Sequence, residues 1–196
     1  MSKVITTPVG VARYPHINHP NKTFDPQGVY TCDVVVSEKE AKTFAEMLDV
    51  IRQKAFEKEC DEKGKKLRLA STFPVQELED GTWIIKTKQV AQRETKKGDV
   101  YKFTVKLFDS EGKPTNCDVG AGSKVKAAFE PRCWYNPSLG FGMTLGLKAV
   151  QVLDLVAPSS SSGSAEAFGF SAEESGFVSD GESFEEALDT TSNADF

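Results

Sequence analysis

The chain has 196 residues with 29 acidic and 24 basic side chains, a net charge of −5. No apolar run approaches the ~20 residues that a membrane-spanning helix needs, which excludes that class. The four cysteines, Cys32, Cys60, Cys117 and Cys133, form no CxxC pair, and with no N-terminal signal pattern they read as free thiols of a cytosolic protein rather than a disulfide frame.

The charge is unevenly divided. The last forty residues, 157–196, hold nine acids and no Lys or Arg. Residues 1–156 therefore keep 20 acids and 24 bases, a net +4. Residues 1–156 are long enough for one domain with a core, whereas 157–196, with the run Ser159 to Ser162 and acids spread among Ser and Gly, are too polar to fold alone and read as a disordered tail. A basic body carrying an acidic tail points to a polyanionic ligand, most simply nucleic acid, for which the tail is an internal substitute.

Taken in order, Lys3–Tyr14 is rich in β-formers, with Pro8 marking a bend or an edge. Pro15–Gly28 carries Pro, Asn, His and Asp and reads as a loop. In Val29–Val36, Tyr30, Cys32, Val34 and Val36 alternate with Thr31 and Asp33, which predicts a strand with one buried face. Ser37 and Glu40 then form a capping box for a helix whose apolar stripe is Ala41, Phe44, Ala45, Leu48, Ile51 and Ala55, stopped by Gly64. The cluster Lys63, Lys65, Lys66 and Arg68 reads as a solvated helix end.

Beyond Pro74 the pattern returns to strands. Asp80-Gly81 is a turn, and Trp83–Gln92 a strand with Trp83 and Ile85 on one side and Lys86 and Lys88 on the other. A charged loop, Glu94–Asp99, leads to a return strand, Val100–Phe108, with Tyr101, Phe103, Val105 and Leu107 expected inward and Lys102 and Lys106 outward. After a turn at Asp109–Lys113, Gly120–Lys124 introduces a strand to Phe129 that carries Lys124 and Lys126. Pro131–Gly140 reads as a loop, and Phe141–Leu155 as a last strand whose glycines, Gly140, Gly142 and Gly146, suit a sharp bend that closes a barrel. The class is mainly β: an antiparallel barrel of the OB type with one inserted α-helix, followed by a disordered acidic tail. A two-sheet sandwich is the alternative.

Six lysines, Lys86, Lys88, Lys102, Lys106, Lys124 and Lys126, occupy outward strand positions with no acid among them. Protection of sheet edges accounts for some of these, but a basic face for phosphates accounts for the set. Single-strand binding also needs flat side chains for base stacking, and the candidates are Tyr14 beside Arg13, Phe24, Trp83, Trp134 and Tyr135, the last two following Arg132. Core packing competes with DNA contact at Trp83. His16 and His19, the only histidines, support no catalytic triad, and in a Pro/Asn loop they read as exposed imidazoles rather than zinc ligands. Gly120–Lys124 lacks phosphate-loop spacing and leads into a strand, and no carboxylate cluster suggests a two-metal nuclease. The residues predict a non-enzyme with no metal and no cofactor.

Four stretches carry a family resemblance: Gly28–Val36 (GVYTCDVVV), Asp80–Lys88 (DGTWIIKTK), Phe108–Lys113 (FDSEGK) and Gly120–Lys126 (GAGSKVK), together with the ending Asp195-Phe196 after an acidic tail. The chain resembles the single-stranded DNA-binding proteins of bacteriophage T7-type replication systems. The resemblance implies an OB fold, a basic groove with stacking aromatics, and a tail that covers the groove and contacts the phage DNA polymerase and helicase-primase through its terminal Phe. It places Lys86, Lys88, Lys124 and Lys126 on basic family positions; the first loop, around Tyr14 and His16, is shorter than the family's. It also implies a homodimer and a place in the cytoplasm of an infected bacterial host, in DNA replication and recombination. The other reading is a protein–protein adaptor of the same machinery without strong DNA binding of its own.

Overall fold

The computed structural model describes residues 4–23, 25–95 and 98–158. Phe24, Asp195, Phe196 and the tail expected to be disordered beyond residue 158 lie outside the described residues.

Alternation along β3 (Val29–Val36) buries Tyr30, Cys32, Val34 and Val36, as expected, and leaves Thr31 and Asp33 on the outer side. On one flank β3 pairs antiparallel with β5 (Trp83–Val90), and on the other with β2 (Gly10–Asn21). β2 pairs with β9 (Lys124–Asn136), β9 with β10 (Gly140–Asp154), and β10 with β5, so five strands close a ring. Three short strands extend it: β1 (Ile5–Thr6) on β9, β4 (Val75–Glu77) on β5, and β8 (Lys106–Phe108) on β10. A ribbon of β6 (Gln92–Glu94) and β7 (Val100–Lys102) forms a separate two-stranded sheet. The barrel is therefore mainly β with one helix, as expected.

It is not wholly antiparallel. β10 runs parallel to β5 and to β8, and arithmetic requires something of the kind: strand directions cannot alternate all the way round a closed ring with an odd number of members. Phe129, Ile85, Leu145, Leu147, Val34 and Val125 fill the interior.

The helix α1 (Glu38–Lys63) begins and ends as its sequence dictates. Ser37 Oγ accepts from the Glu40 amide at 3.4 Å, and the Glu40 carboxylate accepts from the Ser37 amide at 3.3 Å. Gly64 caps the other end with φ +60°. Ala41, Phe44 and Leu48 are buried, Ala45 and Ile51 partly so, and Phe44 meets Phe129 edge-on with ring centres 5.8 Å apart.

Three segments differ from the sequence reading. First, Pro15–Asn21 is not loop but the second half of β2. Register breaks between Arg13 and His16 and between His16 and Asn21 leave both prolines at positions where no ladder N–H is needed, and Ile17 anchors the stretch in the core. His16 and His19 are exposed as expected, but on a strand.

Second, Val100–Phe108 is not one strand. It divides into β7 and β8, which pair with different partners, so Tyr101 and Phe103 face solvent (57% and 37% exposed) rather than the core. Only Leu107 of the four expected inward side chains is buried.

Third, Pro131–Asn136 continues β9 as one arm of a long hairpin with β10. β9 pairs with β1 and β2 only through Lys124–Phe129, so Pro131 lies on a free edge where a missing N–H does no harm. The register shifts of β10 fall after Leu147 and Val152.

Candidate nucleic-acid interface

The pairing register brings outward side chains of adjacent strands into rows. Arg13, Asp33 and Lys86 lie abreast on β2, β3 and β5, and His16, Thr31 and Lys88 form the next row. Lys88 is level with Gly146 of β10. Across the hairpin, Gly142 faces Trp134 and Thr144 faces Arg132. A groove of about 420 Å³ lies on this outer face, lined by Thr31, Asp33, Lys86, Lys88, Phe73 and Trp134.

The two glycines of β10 position the large side chains opposite. A Cβ at Gly142 would lie 2.3 Å from the Trp134 ring, and one at Gly146 would lie 2.5 Å from the Arg132 guanidinium. Only a bare backbone lets these groups lie flat on the sheet. Arg132 donates to Gln89 Oε1 at 2.9 Å, which fixes its plane. Glu130 sits 3.9 Å from Arg132 and accepts from Lys148 at 2.9 Å; that hydrogen bond holds the Glu130 carboxyl below its usual range. Phe73, on the far wall, is stacked by the Arg52 guanidinium at 4.6 Å, and Arg52 is oriented by Asp49.

Tyr14 stands at the edge. It is the only non-glycine residue with positive φ (+48°) among the described residues, and it is 67% exposed. Its carbonyl accepts from Thr31 Oγ1 at 3.3 Å, and the Arg13 guanidinium lies 5.3 Å from its ring centre. A bulky residue held in the left-handed region in full solvent is a strained position of the kind that collects at functional sites.

Asp33 is the single acid in the groove among the described residues. Burial raises its carboxyl from the usual 3.8 to about 6; Lys86 and Arg13 pull the other way and are outweighed.

The expected site residues thus separate. Arg13, Tyr14, Lys86, Lys88, Arg132 and Trp134 gather around one groove. Lys124 and Lys126 lie further along the same hairpin, and Lys106 on β8 beside it: Lys126 is level with Gln151 and Lys106 with Ala149. Five residues of β10 separate Gln151 from Gly146, roughly 16 Å. Lys124 is 4.0 Å from Asp154. Trp83 lies partly in the core with Lys42 Nζ 5.8 Å from its ring, Tyr135 sits under Lys63 at 5.0 Å, and Lys102 belongs to the β6–β7 ribbon. These three are not in the groove. Phe73 and Asp33 are groove residues that sequence reasoning did not select; Asp33 was legible as an outward position on β3.

No protein-family model and no curated protein matches the chain. Solved structures do. The crystal structure of gp2.5, a single-stranded DNA-binding protein encoded by bacteriophage T7, superposes with a TM-score of 0.69 at 23% identity, over 91% of this chain and 100% of that one. The fold is that of phage single-stranded DNA-binding proteins. The protein from bacteriophage Enc34, solved in complex with single-stranded DNA, gives a TM-score of 0.58 at 14% identity over 80% of this chain and 89% of that one. A C-terminal truncation of the Enc34 protein gives 0.57 at 13% identity, over 79% and 87%.

Proposed function

We propose that this protein binds single-stranded DNA with little sequence dependence, as a non-enzymatic coat on exposed strands in phage DNA replication and recombination, in the cytoplasm of the infected host. The observation that carries the reading is that Lys86 and Lys88 enter the same groove as Trp134 and Phe73. In ring order β3 and β5 are the second and third barrel strands, the face on which OB folds take oligonucleotides. Cations beside aromatic surfaces supply what a single strand requires: phosphates to neutralise and bases to stack. Arg13, Tyr14 and Arg132 enlarge this surface, and Lys106, Lys124 and Lys126 extend it along the hairpin. Trp83, Tyr135 and Lys102 stand as outlying contacts for a longer strand.

Residues 1–156 act as the DNA-binding body and 157–196 as its tail. The tail's nine acids and absence of Lys or Arg make it a tethered competitor for the cationic groove. Asp195 and Phe196 form the recognition end for the phage DNA polymerase and helicase-primase once DNA has displaced the tail, and the same contact joins two copies as a homodimer.

Fluorescence anisotropy with labelled oligo-dT and a matched duplex, at several salt concentrations, tests the core of this. The single strand should bind tighter, with log affinity falling against log salt by about 0.7 per phosphate neutralised. Equal affinity for duplex, or binding indifferent to salt, refutes the reading. Removing residues 157–196 should tighten binding; no change removes the competitor role and leaves the groove intact.

A further inference from the structure

A carboxylate lining a groove whose other charged side chains are Lys86 and Lys88 is out of place if the groove only tracks phosphates. Asp33 lies between Arg13 and Lys86 on neighbouring strands and faces the same space as Trp134. A phosphate laid against it would meet like charge in a partly desolvated place, where repulsion is stronger than in water. What it suits is a donor.

Resting on the single-strand reading above, we propose that the groove holds a nucleobase whose exocyclic amine donates to Asp33 while the neighbouring ring nitrogen accepts from Lys86, so that cytosine and adenine are preferred over thymine. The side chains carry the pattern: an acceptor (Asp33) directly across the strands from a donor (Lys86). The pairing edge of cytosine presents an amine beside an unprotonated ring nitrogen, and that of adenine does the same. Thymine presents a carbonyl oxygen where the amine would be, turned against the carboxylate, and a protonated ring nitrogen where Lys86 needs an acceptor. A carboxylate accepting from the cytosine amine is an established pairing in base recognition. Trp134 supplies the stacking surface, held flat over Gly142, and stacking itself is tolerant of base identity. The phosphates then run along the rim, toward Lys88, Arg132 and the lysines of the hairpin.

The test is equilibrium binding of the full chain to labelled oligo-dC and oligo-dT of equal length, at one salt concentration and pH 7.5, for the wild type and Asp33→Val. Valine is a good strand residue, and a thermal melt shows whether the variant is folded. The wild type should bind oligo-dC at least ~5-fold tighter than oligo-dT, the low end for one well-placed base contact. In D33V the ratio should fall to about 1, chiefly through weaker binding of oligo-dC, because valine offers the cytosine amine no acceptor. Equal binding of the two oligonucleotides by the wild type, or an unchanged ratio in D33V, overturns the inference alone. Asp33→Asn gives a second variant should D33V not fold: an amide turned to offer its NH₂ to thymine lowers the same ratio, and a ratio unaltered in D33N counts against the proposal. Failure to bind either strand overturns the single-strand reading beneath it.

Discussion

Replacing Asp33 by asparagine should stabilise the protein at neutral pH and do nothing in acid. Burial of the charged carboxylate outweighs its attraction to Lys86 and Arg13, which is why its titration moves up from 3.8 to about 6. The unfolded chain, with an ordinary carboxyl, ionises near pH 4. Between pH 4 and 6 the folded protein therefore binds more protons than the unfolded, and stability falls as pH rises through that window. Above pH 6 the whole penalty is present; below pH 4 none of it is. Two pH units correspond to ~3 kcal/mol, and the partial exposure of the side chain reduces this to about 1–2 kcal/mol. Asp33→Asn keeps the shape and removes the charge. Its melting temperature should exceed the wild type's by roughly 3–6 °C at pH 7.5, taking about 2–4 °C per kcal/mol for a chain of this size. The difference should vanish at pH 4. Thermal melts followed by circular dichroism across pH 4–8 measure both. A wild type more stable than D33N at pH 7.5 would show that the attractions to Lys86 and Arg13 win, and a difference that does not change with pH would show a carboxyl that folding leaves unshifted; either result refutes the reasoning.

Two other perturbations separate site from scaffold. Gly142→Val should push the Trp134 ring off the sheet, given the 2.3 Å approach, and reduce single-strand affinity by about 1–3 kcal/mol, the value of one stacked base; titration of W134A alongside it should show an equal loss, and unimpaired binding by G142V would remove Trp134 from the interface. At Tyr14 the usual ranking of alanine over glycine should reverse. A left-handed backbone costs an L-residue about 1–2 kcal/mol, more than glycine's entropic penalty of roughly 0.4–1 kcal/mol, so Tyr14→Gly should melt at or above Tyr14→Ala while both lose DNA affinity. A clearly less stable glycine variant would mean that φ +48° carries no strain.

Much of the barrel can be read from local rules. The Ser37/Glu40 box, the Gly64 stop and the alternation in Val29–Val36 are each decided within a few residues, and each holds in the fold. What local rules miss is decided by the partner strand. Prolines at 15, 20 and 131 read as loop because a proline breaks a ladder, yet each stands where no neighbour asks for its N–H. Tyr101 and Phe103 keep a strand's alternation, but Tyr101 belongs to a ribbon that forms its own two-stranded sheet and Phe103 follows directly after it, and both side chains are exposed. The site follows the same division. Lys86 and Lys88 are legible from alternation, whereas Phe73 comes from a loop and Asp33 acquires its significance only when registration sets it beside Lys86. Trp134 reads as loop because prolines stand on both sides of it; the glycines opposite, Gly142 and Gly146, are the signal that something flat lies across them.

The sealing of the ring between β5 and β10 also governs how the molecule is made. That seam joins Thr87 to Leu145 and Lys88 to Gly146, and so encloses nearly sixty residues, whereas the β9–β10 hairpin turns within a few. Distant pairing of this sort is slow to form. During synthesis β2, β3 and β5 emerge first and wait with an open edge, because the strand that covers it is the last of the barrel to be translated. The nascent protein is accordingly most prone to wrong association just before Gly140–Asp154 arrives, and shortening that terminal strand should harm yield in the cell more than it harms any single contact in the finished fold.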